Sequence, residues 1–179
     1  MTVQPAASDE LLIKQFKDGN SNAFNELYQR HLPGVYKRVR YMVPEQDVED
    51  TTQEVFIAAL KSLSSFRGES QFSTWLRTLT NHKIAEYYRK SNRKREAPKV
   101  TFDDAHEHSD GSTAKVLEEQ IALRKALRQI PAQYQEVILL RFVDGLQFSE
   151  IARLNGQHLE ATKSLFRRAV SALRDQLDK

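Results

Sequence analysis

Residues Phe148–Ala169, "FSEIARLNGQHLEATKSLFRRA", carry two apolar periodicities separated by one turn signal. In the first half, Phe148, Ile151, Ala152 and Leu154 recur at helical spacing and would form an inner face. Asn155 and Gly156 then interrupt the pattern, and glycine accepts the positive φ that a tight reversal needs. In the second half, Leu159, Thr162, Phe166, Ala169 and the following Leu173 fall at spacings of three, four, three and four. That is the buried stripe of an amphipathic helix. The stretch therefore predicts two helices joined by a short turn.

If the second helix buries that stripe, its outward residues include Glu160, Ala161, Lys163, Ser164, Arg167 and Arg168. In a helix-turn-helix such a helix lies in the DNA major groove, where lysine and arginine neutralise phosphates or reach guanine. Two features depart from an ordinary helix of this kind. His158 stands at the cap position, and Leu165 occupies a place where an exposed polar side chain is expected. Taken alone, the segment also fits an amphipathic helix of a bundle whose basic face is merely solvated.

Upstream, "IPAQYQEVILLRFVDG" supplies a proline helix start and a glycine stop, and Val116, Leu117, Ile121, Leu127 and Ile130 keep helical spacing before it. These elements form a C-terminal helical domain over residues 114–179. Residues 96–113, "EAPKVTFDDAHEHSDGST", have no clear period and are rich in polar and turn-forming residues, so they read as a linker. Before the linker, Leu11, Leu12, Phe16, Phe24, Leu27, Tyr28, His31, Val35 and Tyr36 mark two amphipathic helices. Pro33 would kink or break the second of these. A third helix should begin near Pro44, and a fourth should run through "FSTWLRTLTNHKIAEYYRK" with Ser70 or Ser73 as its cap. The expected fold is all-α, with an N-terminal helical domain over residues 8–95 and no strand.

Composition agrees with that class. The chain has 179 residues, 40% hydrophobic and 28% charged, with only six glycines and five prolines. The absence of cysteine excludes disulfides and thiolate metal sites. No apolar run approaches a membrane span, and "MTVQPAASDE" lacks the basic and apolar regions of an export signal, so a cytoplasmic location is expected. The net charge of +3 is unevenly placed. Lys83–Lys99 holds seven Lys or Arg against two Glu, and Lys163–Arg174 holds four Lys or Arg and no acid. Between them, Val100–Ser112 holds four acidic residues and no Lys or Arg. Two basic stretches point to two contacts with a polyanion.

Two further patterns belong to the N-terminal domain. In "DVEDTTQEVF", Asp47, Asp50, Gln53 and Glu54 share one helix side while Val48, Val55 and Phe56 point elsewhere. An acidic face repels DNA, so it suits a basic protein surface or plain solvent. In "FRGESQFSTWLRTLTNHKIAEYYRKSNRKR", aromatics Phe72, Trp75, Tyr87 and Tyr88 alternate with Arg77, Lys83, Arg89, Lys90, Arg93, Lys94 and Arg95. Exposed aromatics can stack on bases while cations follow phosphates. Phe72, Trp75 and Leu79 also form one stripe, which places Trp75 mainly in the core.

With these motifs in order, the chain resembles the bacterial extracytoplasmic-function (group four) sigma factors of the sigma-70 family. "AFNELYQRH", "DVEDTTQEVF", "FRGESQFSTWL", "KIAEYYRK" and "IPAQYQEVILLRFVDGLQFSEIA" carry the likeness, which spans nearly everything outside the first residues and the linker. The resemblance implies two helical domains, region 2 and region 4, that direct RNA polymerase core to promoters. It implies that Asp47, Glu49, Asp50, Gln53 and Glu54 dock on the clamp helices of the largest subunit, with the flap of the second largest as a further contact. It implies that the Phe66–Phe72 loop, with Arg67, and the helix bearing Arg77, Asn81, His82, Lys83, Tyr88, Arg89 and Lys90 recognise and open the −10 element. His158, Glu160, Ala161, Lys163, Ser164, Leu165, Arg167 and Arg168 would read the −35 element. An anti-sigma factor is a typical partner of the family, and no catalytic residue, metal or cofactor is expected.

The chain departs from the family locally. His82 stands where the family commonly has Asn, Gln157 and His158 follow Gly156 in place of a β-branched residue and Ser or Thr, and Leu165 replaces a common Arg. A leucine there could meet thymine methyl groups or a protein partner. Two other readings stay open. One is a helix-turn-helix regulator that does not dock on polymerase. The other is a metal or pH sensor built on Asp103, Asp104, His106, His108 and Asp110 of the linker.

Overall fold

Gly156 turns the chain at φ +61°, and two backbone hydrogen bonds close the turn around it, Gln157 N to Ala152 O at 2.8 Å and Gly156 N to Arg153 O at 3.3 Å. This is the Schellman arrangement, in which a left-handed residue lets its own amide and the next one cap the helix carbonyls. In the computed structural model, residues 7–96 and 111–179 are described, the side chains over 7–91 and 118–179. The described residues form eight α-helices and two single-turn 3-10 segments, and the chain divides into two compact units, Met1–Pro98 and Lys99–Lys179. The all-α expectation holds for the described residues.

The first unit contains α1 (Asp9–Lys17), α2 (Asn22–Met42), α3 (Val48–Ser62) and α4 (Phe72–Glu96). Helix α1 packs on α2, and α2, α3 and α4 pack on one another. Ser8 caps α1 through its hydroxyl, which accepts from Leu11 N, and Gly19 ends it with the same Schellman pattern. Leu12, Leu27, Val39, Val55, Leu63 and Leu76 are among the buried centre of this unit. Fully burying each such side chain stabilises by roughly 1.5–3 kcal/mol.

Three expectations change. Pro33 lies inside α2 without ending it; it is exposed, so its ring and missing N–H fall on the solvent side. The third helix starts at Val48 after a 3-10 turn over Glu45–Asp47. The fourth starts at Phe72 on the carbonyl of Gln71, which accepts from Thr74 N and Trp75 N, so neither Ser70 nor Ser73 is at the cap position.

The second unit contains α5 (Gly111–Gln129), α6 (Ala132–Phe142), α7 (Phe148–Leu154) and α8 (Leu159–Leu177). Helix α8 packs against α5, α6 and α7, and is the axis of the unit. Gln135 Nε2 donates to Ile130 O at 2.9 Å and closes the α5–α6 corner. Arg141 Nη1 donates to Leu146 O at 3.1 Å while its guanidinium lies 5.3 Å from the Phe148 ring centre, bracing the α6–α7 corner. Glu150 accepts from Gln147 N at 2.7 Å at the start of α7. The helix α5 begins at Gly111, inside the stretch expected to be linker; the rest of that stretch beyond Glu96 lies outside the described residues.

Candidate polymerase and promoter interface

The first face is on α3. Val48, Val55, Phe56 and Ala59 are buried against the neighbouring helices, so the helical period leaves Glu49, Asp50, Gln53 and Glu54 exposed together. Gln53 Nε2 reaches Glu49 Oε1 at 3.5 Å, and Ile57 and Leu60 continue the exposed side with apolar surface. Asp47 sits at the edge of this face and is half-buried, accepting from the Tyr87 hydroxyl at 2.8 Å. The face is therefore a strip of carboxylates with an apolar end, on a rigid helix.

The second face is made by α4 and the loop before it. Phe66 is not a freely exposed base-stacking ring: it packs with Trp75 at 5.2 Å and Phe72 at 6.1 Å between ring centres. Trp75 is half-buried in the same cluster, which also takes in the His31 ring, 5.1 Å from Phe72. Past Phe66 the loop opens to solvent, turning at Gly68 with φ +75°, and Arg67 is exposed beside Glu69. Along α4, His82 and Arg89 are exposed and Arg77 is half-buried.

Several residues expected to meet DNA on this face also bond within the unit. Arg38 is buried at 2% exposure, and its Nε donates to Asn81 Oδ1 at 2.9 Å, joining α2 to α4. A buried guanidinium needs such acceptors, so the Asn81 oxygen is committed inward. The Tyr88 hydroxyl donates to Met42 O at the end of α2. Lys83 and Lys90 both hold Glu86, each at 2.9 Å, and Lys90 lies 3.9 Å from Glu54. Hydrogen bonds from Lys83 and then Lys90 lower the Glu86 pKa from 4.5 to about 2, and the Glu86 hydrogen bond raises that of Lys90. Glu86 and Arg38 are thus structural residues that motif reading passed over. Only the i,i+4 spacing of Glu86 and Lys90 signalled either of them.

The third face is on α8, and here the structure corrects the expected stripe. Thr162, Leu165 and Ala169 are the buried residues, whereas Leu159 is 41% exposed. Leu165, at 8% exposure, belongs to the core and not to the surface that would meet bases or a partner. The stripe is rotated because Phe166 is only half-buried, packing sideways on Phe142 and Phe148 at 5.7 and 5.1 Å. On α7, Leu154 is exposed as well, leaving Phe148, Ile151 and Ala152 as the inner face. His158, Glu160, Ala161, Arg167 and Arg168 are exposed on α8, with Lys163 and Ser164 half-exposed beside them. Lys163 Nζ donates to Glu160 Oε1 at 2.8 Å and lowers the Glu160 pKa. His158 makes no side-chain cap; its carbonyl accepts from the Thr162 hydroxyl at 3.2 Å, which satisfies a polar group inside the stripe.

Among the described residues no group of three or more His, Cys, Asp or Glu could hold a metal ion, and no helix is long and apolar enough to cross a membrane. Asp103, Asp104, His106, His108 and Asp110 lie outside the described residues, as do the side chains of Arg93, Lys94 and Arg95.

Comparison with known proteins bears directly on these three faces. The family pattern of Sigma-70 region 2 matches residues 27–94, and that of Sigma-70 region 4 matches residues 120–173. The sigma-E factor of Escherichia coli, an extracytoplasmic-function RNA polymerase sigma factor, is 32% identical over 176 residues covering 93% of this chain and 92% of its own. The chain belongs to the sigma-70 family, as an extracytoplasmic-function sigma factor. The sigma factor is also 32% identical to BldN of Streptomyces coelicolor over 166 residues, spanning 90% of this chain and 63% of that longer relative. Among solved structures it is similar to CnrH in complex with the cytosolic domain of CnrY, with a TM-score of 0.68, 26% identity, and coverage of 96% and 98% of the two chains. Its fold is also that of RpoE from Bartonella quintana, solved with the anti-sigma factor NepR, at a TM-score of 0.63, 23% identity, and coverage of 87% and 96%.

Proposed function

We propose that this sigma factor binds RNA polymerase core through the α3 face and carries two DNA-reading surfaces to promoters. The observation that carries the reading is the pairing, in one chain, of an exposed carboxylate strip on α3 with an exposed arginine face on a helix-turn-helix. The strip of Glu49, Asp50, Gln53 and Glu54 repels DNA and complements a basic protein surface, for which the clamp helices of the largest subunit are the proposed partner. Asp47 borders the strip but spends its carboxylate on Tyr87, so its assigned role is to hold α3 against α4. The flap of the second largest subunit is assigned to the second unit.

The −10 element is assigned to the loop at Arg67 and to His82, Arg89 and Arg77 on α4. With the Asn81 oxygen held by Arg38, base contact at this point of α4 falls to the exposed His82. The −35 element is assigned to His158, Glu160, Ser164, Arg167 and Arg168, where arginines reach phosphates or guanine and Glu160 accepts from cytosine. None of these roles needs a covalent step, so no catalytic residue is assigned. Cytoplasmic action and control by an anti-sigma factor are further parts of the proposal, the latter supported by the likeness to CnrH with its CnrY partner. In a regulator that never docks on polymerase, the acidic strip would be a solvated face with no partner.

The reading is tested by mixing the purified chain with RNA polymerase core and transcribing a promoter library in vitro. Stable co-elution with core and initiation at a shared pair of sequence elements are expected. Duplex binding without co-elution would favour the regulator.

A further inference from the structure

Helix α1 stands outside every surface assigned above, yet it is fastened at both ends. Near its start, the Asp9 carboxylate accepts from Arg30 Nη1 at 2.7 Å and lies 2.8 Å from His31 Nε2, both on α2. Leu12 and Ile13 bury its middle against the unit. At its last residue, Lys17 Nζ donates to the carbonyl of Phe66 at 2.6 Å, across 49 residues of sequence. Beyond Gly19 the chain reverses into α2, so α1 is a short rigid bracket between α2 and the loop that follows α3.

The loop needs such a bracket. Its first residue is seated: the Phe66 ring rests on Trp75 and Phe72, and Phe66 N donates to Leu63 O. Residues Arg67 to Gln71 are then exposed, with Gly68 in a left-handed conformation and Phe72 buried at the far end. The Phe66 carbonyl belongs to the peptide that leads into Arg67. Holding that oxygen sets the peptide plane, and with it the direction in which Arg67 leaves the backbone.

We infer that Lys17 is a positioning residue for −10 recognition, acting through the Phe66–Arg67 peptide and not by touching DNA. The inference rests on assigning the loop to the −10 element. A net hydrogen bond of about 1 kcal/mol corresponds to about fivefold in an equilibrium, which sets the expected scale.

The test uses the full chain with core polymerase and a promoter library randomised across the −10 element, read by sequencing of transcripts. Lys17→Ala should lose about fivefold of base discrimination at one or two adjacent −10 positions. It should keep −35 preference and core affinity, its thermal midpoint should fall by no more than the 4–8 °C or so that about 1 kcal/mol brings, and Lys17→Arg should restore discrimination. The salt dependence of promoter binding should stay parallel to that of the parent chain. Unchanged −10 discrimination in Lys17→Ala would overturn the inference. So would a uniform loss over all sequences with a salt slope smaller by about one, the sign of a direct phosphate contact. If the parent chain itself selects no −10 sequence, the assignment of the loop fails first and the inference falls with it. A parent that selects while Lys17→Ala selects identically leaves the assignment standing and sinks the inference alone.

Discussion

Replacing Leu165 with Arg would restore the residue common in the family, and a recognition-helix reading of the sequence expects it to strengthen DNA binding. The structure expects the opposite. Leu165 is 8% exposed and lies between Thr162 and Ala169 on the buried side of α8, the helix on which α5, α6 and α7 all pack. Truncation to Ala removes a buried isobutyl group with little change in helix propensity, so packing alone sets the cost. Large-to-small changes of this kind cost about 2–5 kcal/mol, and the small neighbours Thr162 and Ala169 place Leu165 near the lower end, about 2–3 kcal/mol. For a unit of this size each kcal/mol moves the midpoint by about 4–8 °C, giving a fall of roughly 10–20 °C. Arginine can carry its charge outward along its stem, but it cannot refill the apolar site, so Leu165→Arg should lose at least about 2 kcal/mol. The single tryptophan, Trp75, lies in the other unit and supplies an internal control. Far-UV circular dichroism of either variant should show an early transition while the Trp75 fluorescence midpoint stays in place. Duplex affinity for the −35 element should not rise. An unshifted midpoint in Leu165→Arg, together with tighter duplex binding and a salt slope larger by about one, would refute the burial of Leu165.

Three other outcomes are expected. Asp50→Lys combined with Glu54→Lys should abolish capture by core polymerase in a pull-down while leaving the melting curve within about 1 kcal/mol, since these are exposed positions and Glu54 gives up only a long surface ion pair; capture at parental affinity would remove α3 as the docking face. Arg168→Ala, exposed on α8, should weaken −35 duplex binding at every sequence tested and reduce the salt slope by about one; affinity unaffected across several salt concentrations would show that Arg168 does not meet DNA. The Glu86 carboxyl, followed by NMR, should titrate at about 2 in place of 4.5 because Lys83 and Lys90 both bond it. A lowered folded value means that its contribution is present above the ordinary carboxylate range and is lost as pH falls through about 2. Lys83→Met or high salt should move the titration back up, and an unmoved midpoint would show that the lysines are not its cause.

Much of the fold was legible because it rests on local signals. The 3.6-residue period and Gly156 as a helix stop each act within a few residues, so they survive in the linear chain. The acidic strip was legible for the same reason: once Val48, Val55 and Phe56 are placed inward, geometry puts Asp50, Gln53 and Glu54 outward. Local reading failed where a residue had two uses of similar merit. Pro33 is a helix breaker in general, but an exposed position inside α2 tolerates it. Lys83, Tyr88 and Lys90 read as DNA contacts from the mix of aromatics and cations, and Asn81 from the resemblance, but the linear chain gave no sign that partners on α2 and on α4 itself engage them.

By itself, then, the sequence determined that the chain is helical, where most helices begin and end, and which family its ordered motifs resemble. The first two follow from backbone preferences and from periodicity along one element, and the third from the likeness of the motifs themselves. Only the tertiary structure decided that Leu165 is core and Leu159 surface, that Arg38 is buried on Asn81, and that Lys17 reaches Phe66. Each of these depends on where a second element, distant in sequence, presents a surface or an acceptor. A helical period leaves a tolerance of one residue in where its stripe is centred, and it is the packing partners that remove it.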